Sequence, residues 1–290
     1  MTKPQAQIGK GFTSQGDLFF LTDRSPKASS RPVVIVLHGA LRHAENLVGW
    51  LPVLADRFDV LLVDLPGHGR SPSNGTPTLV AFTARLREFI ARHFSTRDVA
   101  MVGESVGGLI ALALANGQTP QVKGVLVADP PMTTAKLWPV YDNFRNPVHR
   151  GADTDYLKAF FADTFGFTPN GIIGDRIYYP LLQVVKVPAQ VLTGDLPLFP
   201  VRQILPRIPC LIDEADKAII RWIRNPHVSL TVVPGSGHLC LDSARQDVRE
   251  IVTGFCTTHL ITQGTAAKLR VARCGSLALE EGASVQISKR

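Results

Sequence analysis

The sequence predicts an α/β fold built on a mostly parallel, doubly wound sheet, and three observations carry that prediction. Short apolar runs alternate with stretches of helical spacing along the first half of the chain. These runs are near-continuous, so both of their faces need cover, which crossover helices supply to a parallel sheet. One run, Val99–Val102, leads into Gly103-Glu-Ser-Val-Gly107, a Gly-x-Ser-x-Gly pattern set between a strand and a small-residue helix. The alternation then breaks between Asp129 and Pro188 and resumes beyond it, as it would around an insertion.

The elements follow in order. Met1–Gly16 is polar and lacks the apolar core of a signal peptide, so a cytoplasmic location is expected. Gly16–Thr22 reads as an early edge strand, closed by a polar turn through Arg24–Ser30. Val33–Leu37 reads as a buried strand running into a tight His38-Gly39 turn, with a helix over Glu45–Arg57. Val60–Val63 is the next strand and enters the loop Asp64-Leu-Pro-Gly-His-Gly-Arg-Ser71. Leu79–Phe94 and Val106–Asn116 have helical spacing, and Val122–Ala128 is a further strand. Strands resume at Ala189–Thr193 and Val228–Val233, the latter ending in Pro234-Gly-Ser-Gly-His238, and Asp242–His259 reads as a closing helix. Thr262–Arg290 has no clear period and reads as a disordered tail or a strand pair, Lys268–Ala272 with Ala283–Ile287.

At 290 residues and 45% hydrophobic content the chain can bury one large core. No apolar run is long enough to cross a bilayer, so no membrane span is expected. The net charge of +7 comes from scattered Lys and Arg. Without aromatics interleaved among them they form no reading surface, and nucleic acid is not an expected partner. The cysteines Cys210, Cys240, Cys256 and Cys274 lie far apart without metal-type pairing and read as free thiols. Nothing in the composition fixes an oligomeric state.

The Gly-x-Ser-x-Gly setting singles out Ser105 as a nucleophile. Glycines at 103 and 107 remove the Cβ atoms that would clash in a strained strand-to-helix turn, and the Val106 N–H then points at a bound carbonyl oxygen. A serine hydroxyl is protonated at neutral pH and needs a neighbouring base. His238 is that candidate, because it follows the last strand on a loop that Gly235 and Gly237 allow to curl back over the sheet edge. His43, His93, His149, His227 and His259 have no motif around them. No histidine pair has metal-ligand spacing, so neither a metal nor another cofactor is expected.

Taken together, Pro32–Ala40, Asp59–Ser71, Val99–Gly108 and Val228–His238 resemble the α/β-hydrolase superfamily, over roughly residues 15–260. The resemblance implies the α/β-hydrolase fold, with a helical cap inserted over the nucleophile between the strands ending near Asp129 and beginning near Ala189. Residues 1–131 and 189–260 would form the core, 132–188 the cap and 261–290 a C-terminal extension. The cap stretch is rich in aromatics (Trp138, Tyr141, Phe144, Tyr156, Phe160, Phe161, Phe165, Phe167, Tyr178, Tyr179). Most of these are expected to form its own small core and a few to face the pocket.

The same resemblance makes His38 and His68 structural and points to Ala40 as the second oxyanion-hole donor, with Leu41 the next choice. The acid is expected at Asp195, which ends the strand after the cap, the commonest location in the superfamily. Asp129, at the end of the strand before the cap, is the alternative that some members use. Here the chain departs from the usual pattern: Asp195 directly follows Gly194, and Pro197 stands where the acid generally falls. Asp213, Glu214 and Asp216 are further choices. Glu104 is expected to be a hydrogen-bonded structural carboxylate under the turn. Asp64 precedes Ser105 in the chain and reads as a loop organiser.

What this implies is a cofactor-free serine hydrolase that cleaves a carboxylic ester or thioester of a small to medium apolar molecule through an acyl-enzyme. The same residues would serve an acyltransferase or an amide, lactone or carbon–carbon hydrolase. A non-catalytic homologue binding a ligand or a partner is the alternative from another class.

Overall fold

The structure, a computed structural model, describes residues 7–25, 29–141, 154–199, 208–242 and 244–262. The chain opens with two strands, β1 (Gln7–Gly11) and β2 (Leu18–Thr22), paired antiparallel. β3 (Val33–Leu37) and β4 (Asp59–Val63) are parallel and fully buried, as their unbroken apolar sequences demand. Between them lie a 3₁₀ segment, Ala44–Trp50, and a one-turn helix, α1 (Leu51–Leu54). The longer helix expected over Glu45–Arg57 is thus divided. Pro52 sits in the first turn of α1, where its missing N–H breaks no helical bond.

α2 (Leu79–His93) is capped by Thr78, whose hydroxyl accepts from the Ala81 N–H, and carries Arg92 and His93 at its C-terminal end. β5 (Val99–Glu104), α3 (Val106–Leu114) and β6 (Val122–Ala128) follow with bounds close to the expected ones. The described residues between β6 and the next sheet strand hold α4 (Thr154–Phe165), the short hairpin β7 (Phe167–Thr168) and β8 (Gly171–Ile172), and α5 (Tyr179–Val184). Then come β9 (Ala189–Gly194), α6 (Glu214–Trp222), β10 (Val228–Val233) and α7 (Gln246–Thr257).

The eight-stranded sheet has the order β1-β2-β4-β3-β5-β6-β9-β10, parallel from β4 to β10. Its two faces build separate cores. Val33, Ile35 and Leu37 of β3 point to one side, with α2, α3 and α4, while Val34 and Val36 point to the other, with Trp50 and α7. Phe160 of α4 stacks on Phe82 of α2 at 4.4 Å between ring centroids and joins the inserted residues to the first core.

Three features differ from the sequence expectation. β1 was not expected, because Gln7-Ile-Gly-Lys-Gly11 has no apolar run and is exposed along most of its length. α6 was likewise unforeseen, and α7 begins at Gln246 instead of Asp242. The aromatics of this stretch were expected to form a small core of their own; Phe160, Phe161, Phe165 and Phe167 are fully buried, but in one cluster with residues of β3, α2 and α3. Phe144, Cys274 and the expected strand pair of the C-terminal stretch lie outside the described residues. Cys210, Cys240 and Cys256 are free and buried.

Candidate active site

The chain passes from β3 to β4 on one side and returns to β5 on the other, so the strand order reverses between β3 and β5. In open α/β sheets, ligands bind at the carboxyl ends of the strands beside such a reversal. Gly39 and Ser105 stand at those two strand ends. A Cβ on Gly39 would lie 3.1 Å from the Ser105 Cβ and 3.4 Å from Glu104 Oε1.

Ser105 joins β5 to α3 with φ 54° and ψ −119°, a conformation that ordinary residues avoid. Its N–H donates to Ala128 O at 2.8 Å, fixing the turn to β6. The glycines on either side are required by contact. A Cβ on Gly103 would come within 2.3 Å of Gly107 O, and one on Gly107 within 2.7 Å of His38 O. Among the described residues, the Val106 and Ala40 N–H groups meet no protein acceptor. Leu41, next to Ala40, has φ 59°.

His238 sits beyond β10 with its N–H donating to Ile208 O at 2.8 Å. The loop that carries it is pressed against its neighbours: a Cβ on Gly237 would lie 2.2 Å from Ile208 O. The His238 ring meets a carboxylate, Nδ1 to Asp129 Oδ2 at 2.7 Å. Asp129 is fully buried at the end of β6 with φ 45°. Its Oδ1 accepts from Thr193 Oγ1 at 2.7 Å and from the Ile212 N–H at 3.2 Å, and its Oδ2 accepts from the Leu211 N–H at 2.7 Å. These donors satisfy a carboxylate that would otherwise be buried without partners, and they fix its orientation.

The expected acid lies elsewhere. Asp195 is exposed, and its Oδ1 accepts from the Gly235 N–H at 2.8 Å, tying the base of the histidine loop instead of touching the ring. Here the strand end is pressed against the histidine loop: a Cβ on Gly194 would approach Ser236 O to 1.9 Å, and the Asp195 and Leu196 N–H groups donate to that same oxygen at 3.1 Å. The other acidic choices are engaged at α6. Asp213 caps that helix through the Asp216 N–H at 2.9 Å, Glu214 pairs with Lys217 at 2.7 Å, and Asp216 meets Lys136 and the Tyr179 hydroxyl.

The remaining motif residues hold loops. His38 Nε2 accepts from the Leu65 N–H at 3.0 Å, so its Nδ1–H donates to Gly39 O at 2.7 Å. Asp64 accepts from the Ala44 and Arg70 N–H groups at 2.7 and 3.0 Å, joining the two loops that flank β4. Burial and then the Asp129 charge push the Cys210 thiol up to about 11, so it stays protonated beside the site.

Sequence reasoning did not find Arg42 or the donors at Thr193, Leu211 and Ile212. Their roles depend on which strand ends become neighbours, and no local pattern marks them. Arg42 Nη1 pairs with Glu104 Oε1 at 2.7 Å. The other carboxylate oxygen, Oε2, is buried without a hydrogen-bond partner among the described residues. Burial drives the Glu104 pKa up, against the pull of Arg42 and His238, with the Asp129 charge adding to the rise.

A cavity of about 610 Å³ borders the histidine loop, lined by Arg42, Asn46, Ile208, Leu239, Leu241 and Arg245 among others. Its lining mixes aliphatic, polar and charged side chains, Ser236 and Asp242 included, and contains neither Ser105 nor a residue from between β6 and β9, so it does not bear on the aromatic side chains expected over the nucleophile. Among the described residues no group of His, Cys, Asp or Glu side chains is arranged to hold a metal ion, and no helix is long and apolar enough to cross a membrane.

The sequence profile of the alpha/beta hydrolase family matches residues 34–251. A pimeloyl-[acyl-carrier protein] methyl ester esterase from Chromobacterium violaceum is 40% identical over 111 residues, which cover 37% of this chain and 41% of that relative. The chain therefore spans about two fifths of the length of the curated esterases it matches. Among solved structures, a carboxylesterase from Bacillus subtilis superposes with a TM-score of 0.59 at 16% identity, over 89% of this chain and 92% of that one. An E-2-(acetamidomethylene)succinate hydrolase superposes with a TM-score of 0.63 at 18% identity, over 87% and 99%. At such identities these two likenesses bear on the fold alone.

Proposed function

The chain belongs to the alpha/beta hydrolase family, and from that membership we propose that it is a serine hydrolase acting on a carboxylic ester. The observation that carries this reading is the Asp129–His238 contact of 2.7 Å, set at the same strand ends as the Ser105 turn. Ser105 is the nucleophile, His238 the general base and acid, and Asp129 the residue that orients the imidazole. Asp129 holds the proton on Nδ1, which leaves Nε2 to accept the Ser105 proton as Oγ attacks the carbonyl carbon. Negative charge then develops on the carbonyl oxygen and is met by the Val106 and Ala40 N–H groups. Collapse of the tetrahedral species expels the alcohol, which takes its proton from His238. Water, deprotonated by the same nitrogen, releases the acid and restores Ser105.

One relative frames the substrate. The Chromobacterium protein is named for a methyl ester. That name favours an oxygen ester over an amide as the bond to test first. The described residues between β6 and β9 would act as the cap, joined to the first core through their buried aromatics.

The test is hydrolysis of p-nitrophenyl esters from acetate to decanoate, with Ser105→Ala alongside. Turnover with a chain-length optimum, lost by at least about 10³-fold in Ser105→Ala, is the expected result. Stoichiometric labelling of Ser105 by a fluorophosphonate accompanies it. A folded protein that neither turns over any ester nor takes the label is not a serine hydrolase.

A further inference from the structure

We propose that the Arg42–Glu104 ion pair is a positioning clamp, which ties the loop carrying the Ala40 N–H to the strand end carrying Ser105 and so sets the oxyanion hole. The inference rests on the hydrolase reading above and deepens it. Neither residue touches the reacting atoms; both act through the backbone between them.

The geometry is local and direct. Glu104 is the last residue of β5 and immediately precedes the nucleophile. Arg42 lies beyond Ala40 and Leu41 on the opposite lip of the β3/β5 crevice, and its Nη1 meets Glu104 Oε1 at 2.7 Å. Gly39, at the start of that loop, packs against the same Glu104 oxygen and the Ser105 Cβ. Between the two anchors stands Leu41 at φ 59°, a left-handed conformation that a branched side chain adopts only when its surroundings impose it. Within this turn Gly39 O accepts from His38 Nδ1–H at 2.7 Å and from the Arg42 N–H at 3.3 Å, and Arg42 Nη2 reaches Asn46 O at 3.4 Å. The charge-assisted ion pair differs from these in reaching across to β5, the strand that leads into Ser105.

The chemistry of Glu104 also argues that it is not there for stability. It is 1% exposed, yet only one of its oxygens is paired. A half-satisfied buried carboxylate is a net cost to the fold. Its placement one residue before Ser105 gives that cost a use, since an oxyanion donor displaced by an ångström forfeits much of its effect.

The experiment compares Glu104→Gln, Arg42→Lys and the double variant Arg42→Met/Glu104→Gln on p-nitrophenyl butyrate. The double variant guards against misfolding, because it leaves no buried charge unpaired. Binding of a trifluoromethyl ketone, whose hemiketal oxyanion occupies the hole, supplies a readout that a purely structural role would not move. Expected is a kcat lowered about 10–100-fold in each single variant, with KM within about threefold of wild type. The ketone Ki should weaken in proportion, and the double variant should be no worse than the poorer single one. Folded single variants that keep kcat within about threefold overturn the clamp, as does a fall in kcat with an unchanged ketone Ki. Those results leave the hydrolase reading standing, whereas absence of Ser105-dependent turnover in wild type sinks both.

Discussion

Asp129 combines a strained backbone with a saturated carboxylate: φ is 45°, and Thr193, Leu211, Ile212 and His238 all approach its oxygens. The strain is held because each of those donors would otherwise be buried without an acceptor. Asp129→Asn removes the acceptor that fixes the imidazole tautomer and turns an NH₂ toward groups that are themselves donors. We expect kcat for ester hydrolysis to fall about 10³–10⁴-fold in that variant. Asp195→Asn should stay within about threefold of wild type, because its carboxylate meets the Gly235 N–H and not the ring. Equal losses in the two variants would overturn the role proposed for Asp129. The strained turn at Ser105 was legible in the sequence because it is local, spelled out by Gly103 and Gly107. Which carboxylate meets His238 was less legible: Asp195 was expected and Asp129 held as the alternative, and the contact depends on strand ends brought together across a long sequence separation.

Glu104 gives a second prediction at this scale, with the sign worked out from its raised pKa. The groups bearing on it are Arg42 and His238, which lower it, and Asp129, which raises it together with the dominant burial effect. The folded state then binds the Glu104 proton more readily than the unfolded chain does. The contribution to stability is full below the ordinary value of 4.5 and is lost as pH rises through the higher folded value. Glu104→Gln escapes this loss. Its melting temperature relative to wild type should therefore be most favourable at neutral pH, and the advantage should shrink as pH falls toward 4.5. A difference that does not vary with pH would mean Glu104 titrates alike in both states.

Among elements, the parallel strands were the most legible, since Val33–Leu37 or Val99–Glu104 buried on both faces can hardly be anything else. What escaped lacked such a run. β1 is a half-polar edge segment defined by its pairing with β2, and α6 was read for its acidic residues as chemistry. Those same residues are its N-terminal signature, with Asp213 as cap and Asp216 closing the box. The elbow allows a paired test, because one substitution has opposite consequences at two glycines. Gly103→Ala drives a Cβ to within 2.3 Å of Gly107 O, a backbone atom that cannot yield. It should cost about 2–3 kcal/mol and lower the melting temperature by roughly 5–10 °C, with loss of activity. Gly254→Ala, on the exposed side of α7 with nothing within 4 Å, should stabilise by about 0.5–1 kcal/mol. Thermal melts of both variants check it, and an elbow that tolerates alanine would contradict the close packing on which Ser105 depends.

At the scale of the molecule, the question is how the inserted residues are held over a sheet that could close without them. Part of the answer is apolar, through Phe160 against Phe82. The other part is a cluster at the start of α6. Lys136, from the segment leaving β6, reaches Asp213 Oδ2 at 2.9 Å and also contacts Asp216. The hydroxyl of Tyr179, on the helix leading back into β9, binds Asp216 as well. Burial, and then that bond to Asp216, push the Tyr179 pKa well above its ordinary value, so the hydroxyl stays a donor. Both ends of the insertion are thereby fastened to one helix of the core. The sequence marked where the strand–helix alternation breaks but not these contacts, because Lys136, Tyr179 and Asp216 have no common motif. Lys136→Met leaves the buried Asp216 without its cation. Because Asp213 is 30% exposed and keeps some solvent, the cost should be near the low end for a broken buried pair, about 2–4 kcal/mol. The melting temperature should fall by roughly 5–10 °C. If the insertion caps the site, KM should rise with acyl chain length while kcat on p-nitrophenyl acetate stays within about threefold, since the smallest ester needs least of the cap. A uniform change across the ester series would mean that the cluster stabilises the core without governing access to Ser105.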